Sequence, residues 1–317
     1  MVMTMKQKEL AAMLGVSEST VAKALRGSNE ISVAVRERII AEAKRLGYEK
    51  PPRKTRRRLN ILVIVPEFRS EYYGETLGLI NAIARERGFN IFAAEINFAA
   101  ENISDLIPVR TGFFDGVIIN DGQDIPGRID IPAVMINAYQ NRFDDISIDI
   151  DDIMLEVVER LVAVGRKRIG YVGEVRSFRR EKAFRKAAAK LGICDESLIF
   201  ISEQRFAAAG AEGFEKLFKL PEPPDAIICA YDYIVIGILN AAWNAGISVP
   251  EKLALVGNDN LRAASSYRLG ITTIDQKSRE LYVLAFDRLL ARINGDASPA
   301  VQLKVRSEII VRETAII

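Results

Sequence analysis

At 317 residues the chain exceeds one ordinary core and predicts two to three domains. Apolar residues at 49% and charged residues at 27% give a globular balance, and no apolar run reaches the ~18 residues of a membrane span. There is no histidine, which excludes Ser-His-Asp triads, Cys-His dyads and His-ligated zinc. The net charge of +2 hides an asymmetry. Residues 1–59 carry 14 Lys/Arg against 6 Asp/Glu, while the remainder carries 30 against 36. A basic N-terminal segment on a mildly acidic body is the electrostatic footprint of a nucleic-acid-binding module.

In chain order, Met1–Lys6 lack the apolar core of a signal peptide, so export is not expected. Thr4 and Gln7 have capping-box spacing ahead of Leu10, Met13 and Leu14, and Gly15 stops that helix. Ser17 is placed to cap a second helix bearing Val21, Ala24 and Leu25, closed by Gly27. Ser32 caps a third, with Val35, Ile39, Ala43 and Leu46 expected inward and Gly47 as the stop. Three short helices with a tight first turn fit a helix-turn-helix over residues 1–48. Residues 49–60 hold two prolines and six basic side chains and read as a linker.

From 61 to 317 strand-like and helix-like runs alternate. Strands are expected at 61–65, 91–94, 116–119, 133–136, 169–172, 198–201, 226–229 and 253–256. Helices are expected at 77–87, 153–164, 180–191, 212–220 and 234–245. That is the pattern of open α/β sheets, too many strands for one, so two subdomains with a cleft between them are expected. Ligands in such sheets bind beyond the carboxyl ends of the strands. Cys194 and Cys229 lie in or beside apolar runs and are expected to be buried free thiols.

In a helix-turn-helix the second helix enters the major groove. Its N-terminal residues here are Ser17, Glu18, Ser19 and Thr20, with Lys23 one turn on. Ser17 and Thr20 suit phosphate contact or capping, Glu18 can accept from cytosine, and Lys23 can reach guanine. Thr4, Arg26, Asn29 and Tyr48 flank this surface, and Arg53, Arg56, Arg57 and Arg58 extend it into the linker. Read singly, these side chains also suit the solvated face of any small helical domain.

Residues 10–27, LAAMLGVSESTVAKALRG, resemble the headpiece of the lactose/galactose-repressor family. Ile31-Ser32, Arg36-Glu37-Arg38-Ile39 and Leu46-Gly47-Tyr48 resemble its third helix. The likeness continues through Phe114-Asp115-Gly116-Val117-Ile118-Ile119, Gly165 with Arg168-Ile169, Gly246 with Val249-Pro250-Glu251, Val256-Gly257-Asn258-Asp259, and the run from Ile271 to Gln276. The resemblance implies an α/β protein with a three-helix headpiece and a periplasmic-binding-protein-like core of two doubly wound subdomains. These are expected at about 61–146 with 277–302, and about 147–276 with 303–317. It further implies a cytoplasmic, nucleoid-associated bacterial repressor, a homodimer on a near-palindromic double-stranded operator, controlled by a small sugar-like effector. No catalysis, cofactor, metal or membrane contact is expected. The alternative left open is an α/β sugar-binding or sugar-modifying protein without DNA-linked regulation.

Two departures stand out. The family's hinge helix carries a leucine wedge for the minor groove. This chain instead has Pro51-Pro52-Arg53-Lys54-Thr55-Arg56-Arg57-Arg58-Leu59, in which minor-groove or phosphate contact by the arginines is a better expectation than a Leu59 wedge. Lys23 and Ala22 stand where Arg and Ser are common in the family, so readout at that base is expected to be less strict.

For the effector, the resemblance carries over Asp149, Arg180, Asp259 and Gln276, with Tyr72 and Tyr73 as the paired aromatics after the first strand. Carboxylates and a guanidinium fork pair with adjacent hydroxyls. Tyr231 stands where an Asn usually precedes Asp232, and Arg205 where a cleft aromatic is common. With Arg69, Arg205 points to an anionic effector such as a sugar acid or phosphorylated sugar.

Overall fold

The computed structural model describes residues 7–25, 31–46, 57–97, 112–121 and 129–317. The chain divides into two compact units at Arg58/Leu59. Expectations at Thr4, Arg26, Gly27, Asn29, Gly47, Tyr48, Arg53 and Arg56 lie outside the described residues.

The first unit contains helices α1 (Gln7–Leu14), α2 (Glu18–Leu25) and α3 (Val33–Arg45). Leu10, Leu14, Val21, Ala24, Ile39 and Ala43 close its core. Gly15 leaves α1 at φ +63°, a conformation costly for any residue with a Cβ. The Ser17 hydroxyl accepts from the Thr20 N–H at 3.1 Å, and Ser32 accepts from Val35 at 3.4 Å, so both serines cap as expected. Val35 does not turn inward. It is 37% exposed, and the apolar stripe of α3 begins one turn later at Ile39.

Among the described residues, the second unit carries two six-stranded sheets. The first contains β1 (Asn60–Val65), β2 (Asn90–Glu95), β3 (Gly116–Asn120), β4 (Ala133–Ile136), β5 (Asp144–Ile148) and β11 (Gln302–Val305). All are parallel, in the order β11-β5-β4-β3-β1-β2. The second contains β6 (Ile169–Glu174), β7 (Ile199–Ser202), β8 (Ala226–Cys229), β9 (Ala254–Asn258), β10 (Thr272–Asp275) and β12 (Glu308–Ile310). Its order is β12-β10-β9-β8-β6-β7, with only β12 antiparallel. The chain therefore passes between the sheets after Ile148, after Asp275 and between Val305 and Glu308, a few residues beyond two of the expected boundaries. Helices α4 (Glu71–Arg87), α5 (Ile150–Ala163), α6 (Phe178–Lys190), α7 (Phe206–Leu217), α8 (Asp232–Asn244), α9 (Arg262–Ser266) and α10 (Ser278–Ile293) cover the sheets. No helix among the described residues is long and apolar enough to cross a membrane.

Of the cysteines, Cys229 is buried in β8, but Cys194 is exposed, contrary to expectation, because its loop runs over the surface. Leu59 is not presented as a wedge. It packs against the core of the first sheet, and its carbonyl accepts from Asn90 N at 2.8 Å.

Helices α7 and α8 cross through glycines. A Cβ at Gly237 would lie 2.0 Å from the Ala207 carbonyl oxygen, and one at Gly210 2.0 Å from that of Ile234. Gly237→Ala gains up to about 1 kcal/mol of helix propensity but must push the helices apart, an overpacking cost of about 1–3 kcal/mol or more. A net loss of stability is expected, read as a lower urea midpoint.

Candidate functional site

The carboxyl ends of both sheets face a cleft of about 340 Å³, at the small end of the range for ligand sites. Its walls are supplied by the turns after the strands, as the open-sheet rule requires. Glu67 follows β1, Asp121 follows β3, Tyr139 follows β4, Tyr231 follows β8 and Asp259 follows β9. The first turn of α4 adds Tyr72 and Tyr73, because that helix starts at Glu71, well before the expected residue 77.

Arg180 Nη2 donates to Asp259 Oδ1 at 3.0 Å, and Gln276 Nε2 donates to the same oxygen. The Tyr72 hydroxyl reaches Gln276 Oε1 at 3.3 Å, which links α4 to this pair. Arg180 lies over the Tyr231 ring at 4.8 Å, and Arg179 over Tyr139 at 4.3 Å. The Tyr73 hydroxyl donates to Asp121. Two buried donors of this wall, Arg179 Nε and Arg180 Nε, meet no acceptor among the described residues. Buried N–H groups are nearly always partnered, so these two are available to acceptor atoms of a molecule in the cleft. Backbone strain also concentrates here. Five of the eight non-glycine residues with positive φ among those described line the cleft: Asp121, Asn137, Tyr139, Phe206 and Asp259.

At the other end, Arg205 Nη2 and Nη1 donate to Glu67 at 2.5 and 3.0 Å, and its Nε donates to Glu174 at 2.9 Å. Arg176 lies 3.7 Å from Glu67. Four guanidiniums, Arg176, Arg179, Arg180 and Arg205, line the cleft with three carboxyls, Glu67, Asp121 and Asp259, and the buried Glu174 pairs with Arg205 from behind. Of the two arginines expected to favour an anionic effector, Arg205 is tied to two carboxylates, and Arg69 is exposed and outside the cleft lining.

Of the other expected residues, Tyr72, Tyr73, Arg180, Arg205, Tyr231, Asp259 and Gln276 line this one cleft. Asp149 does not. It precedes α5 at the crossover and accepts from Lys304 at 3.2 Å. Glu67, Asp121, Tyr139, Glu174, Arg179 and Phe206 escaped sequence reasoning, although most stand at strand ends, where the open-sheet rule already looks. In the first unit, Ser17, Glu18 and Ser19 are exposed, while Thr20 and Lys23 are half-buried. Ser17 and Thr20 share a 2.8 Å hydroxyl contact, so both take part in the cap. Arg57 and Arg58 are exposed.

Burial pushes the Asp259 carboxyl up to about 7 against the pull of Arg180 and Gln276, and burial with the nearby Asp259 pushes Asp232 up to about 8. Asp232 accepts from Thr273 Oγ1 at 2.6 Å and Leu261 N at 2.9 Å. Both groups bind their proton more tightly folded than unfolded. Their contribution to stability is therefore complete below the unfolded carboxyl value and is lost as pH rises towards about 8. Unfolding free energies measured across this window are expected to fall with pH, and Asp232→Asn to remove about one proton from the slope.

Comparison with known proteins places these features in context. Residues 158–315 match the family described as periplasmic binding protein-like domain, and residues 3–40 match helix-turn-helix. The HTH-type transcriptional repressor CytR of Escherichia coli (strain K12) is 27% identical over 325 residues, covering 96% of this chain and 94% of that protein. The chain superposes on the transcriptional regulator CelR–cellobiose complex with TM-score 0.70 at 24% identity, covering 98% of this chain and 100% of the other. It also superposes on the lac repressor dimer bound to operator and the anti-inducer ONPF with TM-score 0.70 at 21% identity, covering 98% and 99%.

Proposed function

We propose that this chain, which is similar along nearly its whole length to helix-turn-helix transcriptional repressors, is a repressor of the lactose/galactose-repressor type whose operator affinity is set by a small polyhydroxylated effector in the cleft. The observation that carries this reading is the enclosed cleft at the carboxyl ends of both sheets, on the same chain as a capped helix-turn-helix unit. Carboxylates at Asp259 and Asp121 accept from hydroxyls, the Arg179 and Arg180 Nε groups donate to ring or hydroxyl oxygens, and Tyr72, Tyr139, Tyr231 and Phe206 supply faces for an apolar side of the ligand. With Arg205 held by Glu67 and Glu174 rather than left for a ligand, an uncharged sugar or sugar derivative is the proposed effector. Two copies would present two headpieces to two half-sites, matching a near-palindromic operator. Effector binding would change the angle between the two sheets and so the affinity for DNA.

The test is a gel shift of the full chain against fragmented genomic DNA of the source bacterium at low salt. Retention of discrete fragments, altered by a cleft ligand, is expected. Absence of binding to any fragment would overturn the reading.

A further inference from the structure

The ion pairs around Arg205 bridge the two halves of the cleft before any ligand enters. Glu67 belongs to the first sheet, two residues past the end of β1, whereas Arg205 precedes α7 and Glu174 ends β6, both in the second sheet. Glu67 and Glu174 side chains are 7% and 0% exposed and the Arg205 side chain 26%, so this bridge is shielded from water and little screened by salt. Arg176, from the same edge as Glu174, adds a second cation near Glu67 at 3.7 Å. The guanidinium also lies 4.5 Å over the Phe206 ring, and Phe206 stands at φ +56° with its N–H 3.4 Å from Glu174. The strained turn and the buried Glu174 carboxylate thus hold Arg205 aimed across the opening.

Resting on the cleft-effector reading, we propose that Arg205 is a latch. Its bidentate pairing with Glu67 holds the two sheets of the ligand-free chain in the closed arrangement and walls off one end of the cleft. The effector then occupies only the Arg180–Asp259 end, as a compact uncharged molecule, in an arrangement already closed at the other end. The two sets of contacts divide the work: Arg179, Arg180 and Asp259 recognise, while Glu67, Arg205 and Glu174 set the resting angle.

Substitution consequences follow from charge. Glu67→Gln leaves Arg205 paired with Glu174 and loses one bridge. Arg205→Gln removes the bridge itself: Glu67 is left with Arg176 at 3.7 Å and Glu174 loses its guanidinium, so this end of the two sheets is no longer tied together. Opening is therefore ordered Arg205→Gln above Glu67→Gln above the parent chain, with Arg69→Gln, an exposed neighbour outside the cleft, matching the parent.

The experiment is a double electron–electron resonance measurement on the full chain without effector or DNA. Spin labels are placed at Phe68→Cys and Val175→Cys, exposed positions on opposite sides of the opening, in a Cys194→Ser background. The parent is expected to give one dominant short distance. Arg205→Gln should raise the ratio of long- to short-distance population by about tenfold, and Glu67→Gln by less. Identical distributions in all four proteins, each verified as folded by its melting transition, would overturn the latch. Because neither effector nor DNA is present, that outcome would leave the regulatory reading untouched, and a failed gel shift would leave the latch untouched.

Discussion

Arg180→Ala is expected to abolish the response to any cleft ligand that stabilises the parent chain in a thermal-shift panel of sugars and sugar derivatives. The guanidinium is the centre of the recognition end. It donates to Asp259, rests on the Tyr231 ring and keeps a buried Nε without an acceptor among the described residues. Without it, Asp259 loses its main cationic neighbour in a buried site and its carboxyl rises further above about 7, so it takes up a proton near neutral pH. A protonated acid presents an O–H donor where the carboxylate presented an acceptor, so one of its bonds to the ligand hydroxyls is mismatched, and the aromatic face loses its polar counterpart. Truncating one member of such a pair costs about 3–4 kcal/mol, which corresponds to about a hundred- to thousandfold weaker ligand binding. Titration calorimetry with the stabilising ligand reads this directly. Tenfold or smaller loss, at an unchanged melting temperature, would place the ligand elsewhere.

Replacing Arg56, Arg57 and Arg58 together with alanine is the second large effect expected. These residues carry half of the six basic side chains at 49–60. Each arginine lying on a phosphate releases counterions and contributes about 0.9 to the log–log salt slope, so three contribute about 2.7. At about 0.15 M salt that loss corresponds to roughly hundredfold weaker operator binding. Fluorescence anisotropy over a salt series separates this from a change in base readout, because a lost base contact lowers affinity without changing the slope. An unchanged slope would show that the linker stays in solvent. Lys23→Ala provides the contrast: it is expected to alter discrimination at one base of the operator more than the salt slope.

What could be read from sequence depended on how far away each residue's partners lie. Strands β3, β4 and β8 are continuous apolar runs, buried on both faces by their own composition, and are legible as such. Strand β5, Asp144-Asp145-Ile146-Ser147-Ile148, is equally buried yet unreadable. Asp144 is held by Arg288 and Arg292 from α10, and Asp145 accepts from the Ala138 and Tyr139 N–H groups. Strand β10 hides in the same way behind hydroxyls, Thr273 bonding Asp232 and Thr272 bonding Ala315. Helix α10 is different: Leu281, Tyr282, Ala285, Phe286 and Leu289 follow helical spacing, and that signal was available.

The cleft divides along the same line. Arg180, Asp259 and Gln276 came from motif likeness, and the structure brings them together. The same likeness pointed to Asp149, which is occupied by Lys304 outside the cleft. Arg205 stood out as a departure from the family, but its meaning depends on Glu67, 138 residues away. No local pattern reports a pairing at that separation, and charge alone suggested a free cation where the fold provides a neutralised one. Strand ends, by contrast, are positions that topology makes predictable, and Asp121, Tyr139 and Glu174 all stand there.

In the proposed repressor the cleft and the headpiece are thermodynamically coupled. Coupling is reciprocal, so the factor by which a cleft ligand changes operator affinity must equal the factor by which the operator changes ligand affinity. Anisotropy of a labelled operator fragment, titrated with the full chain at zero and at saturating ligand, measures that factor. A change of about 5- to 150-fold is expected. Identical operator curves with and without saturating ligand would contradict it.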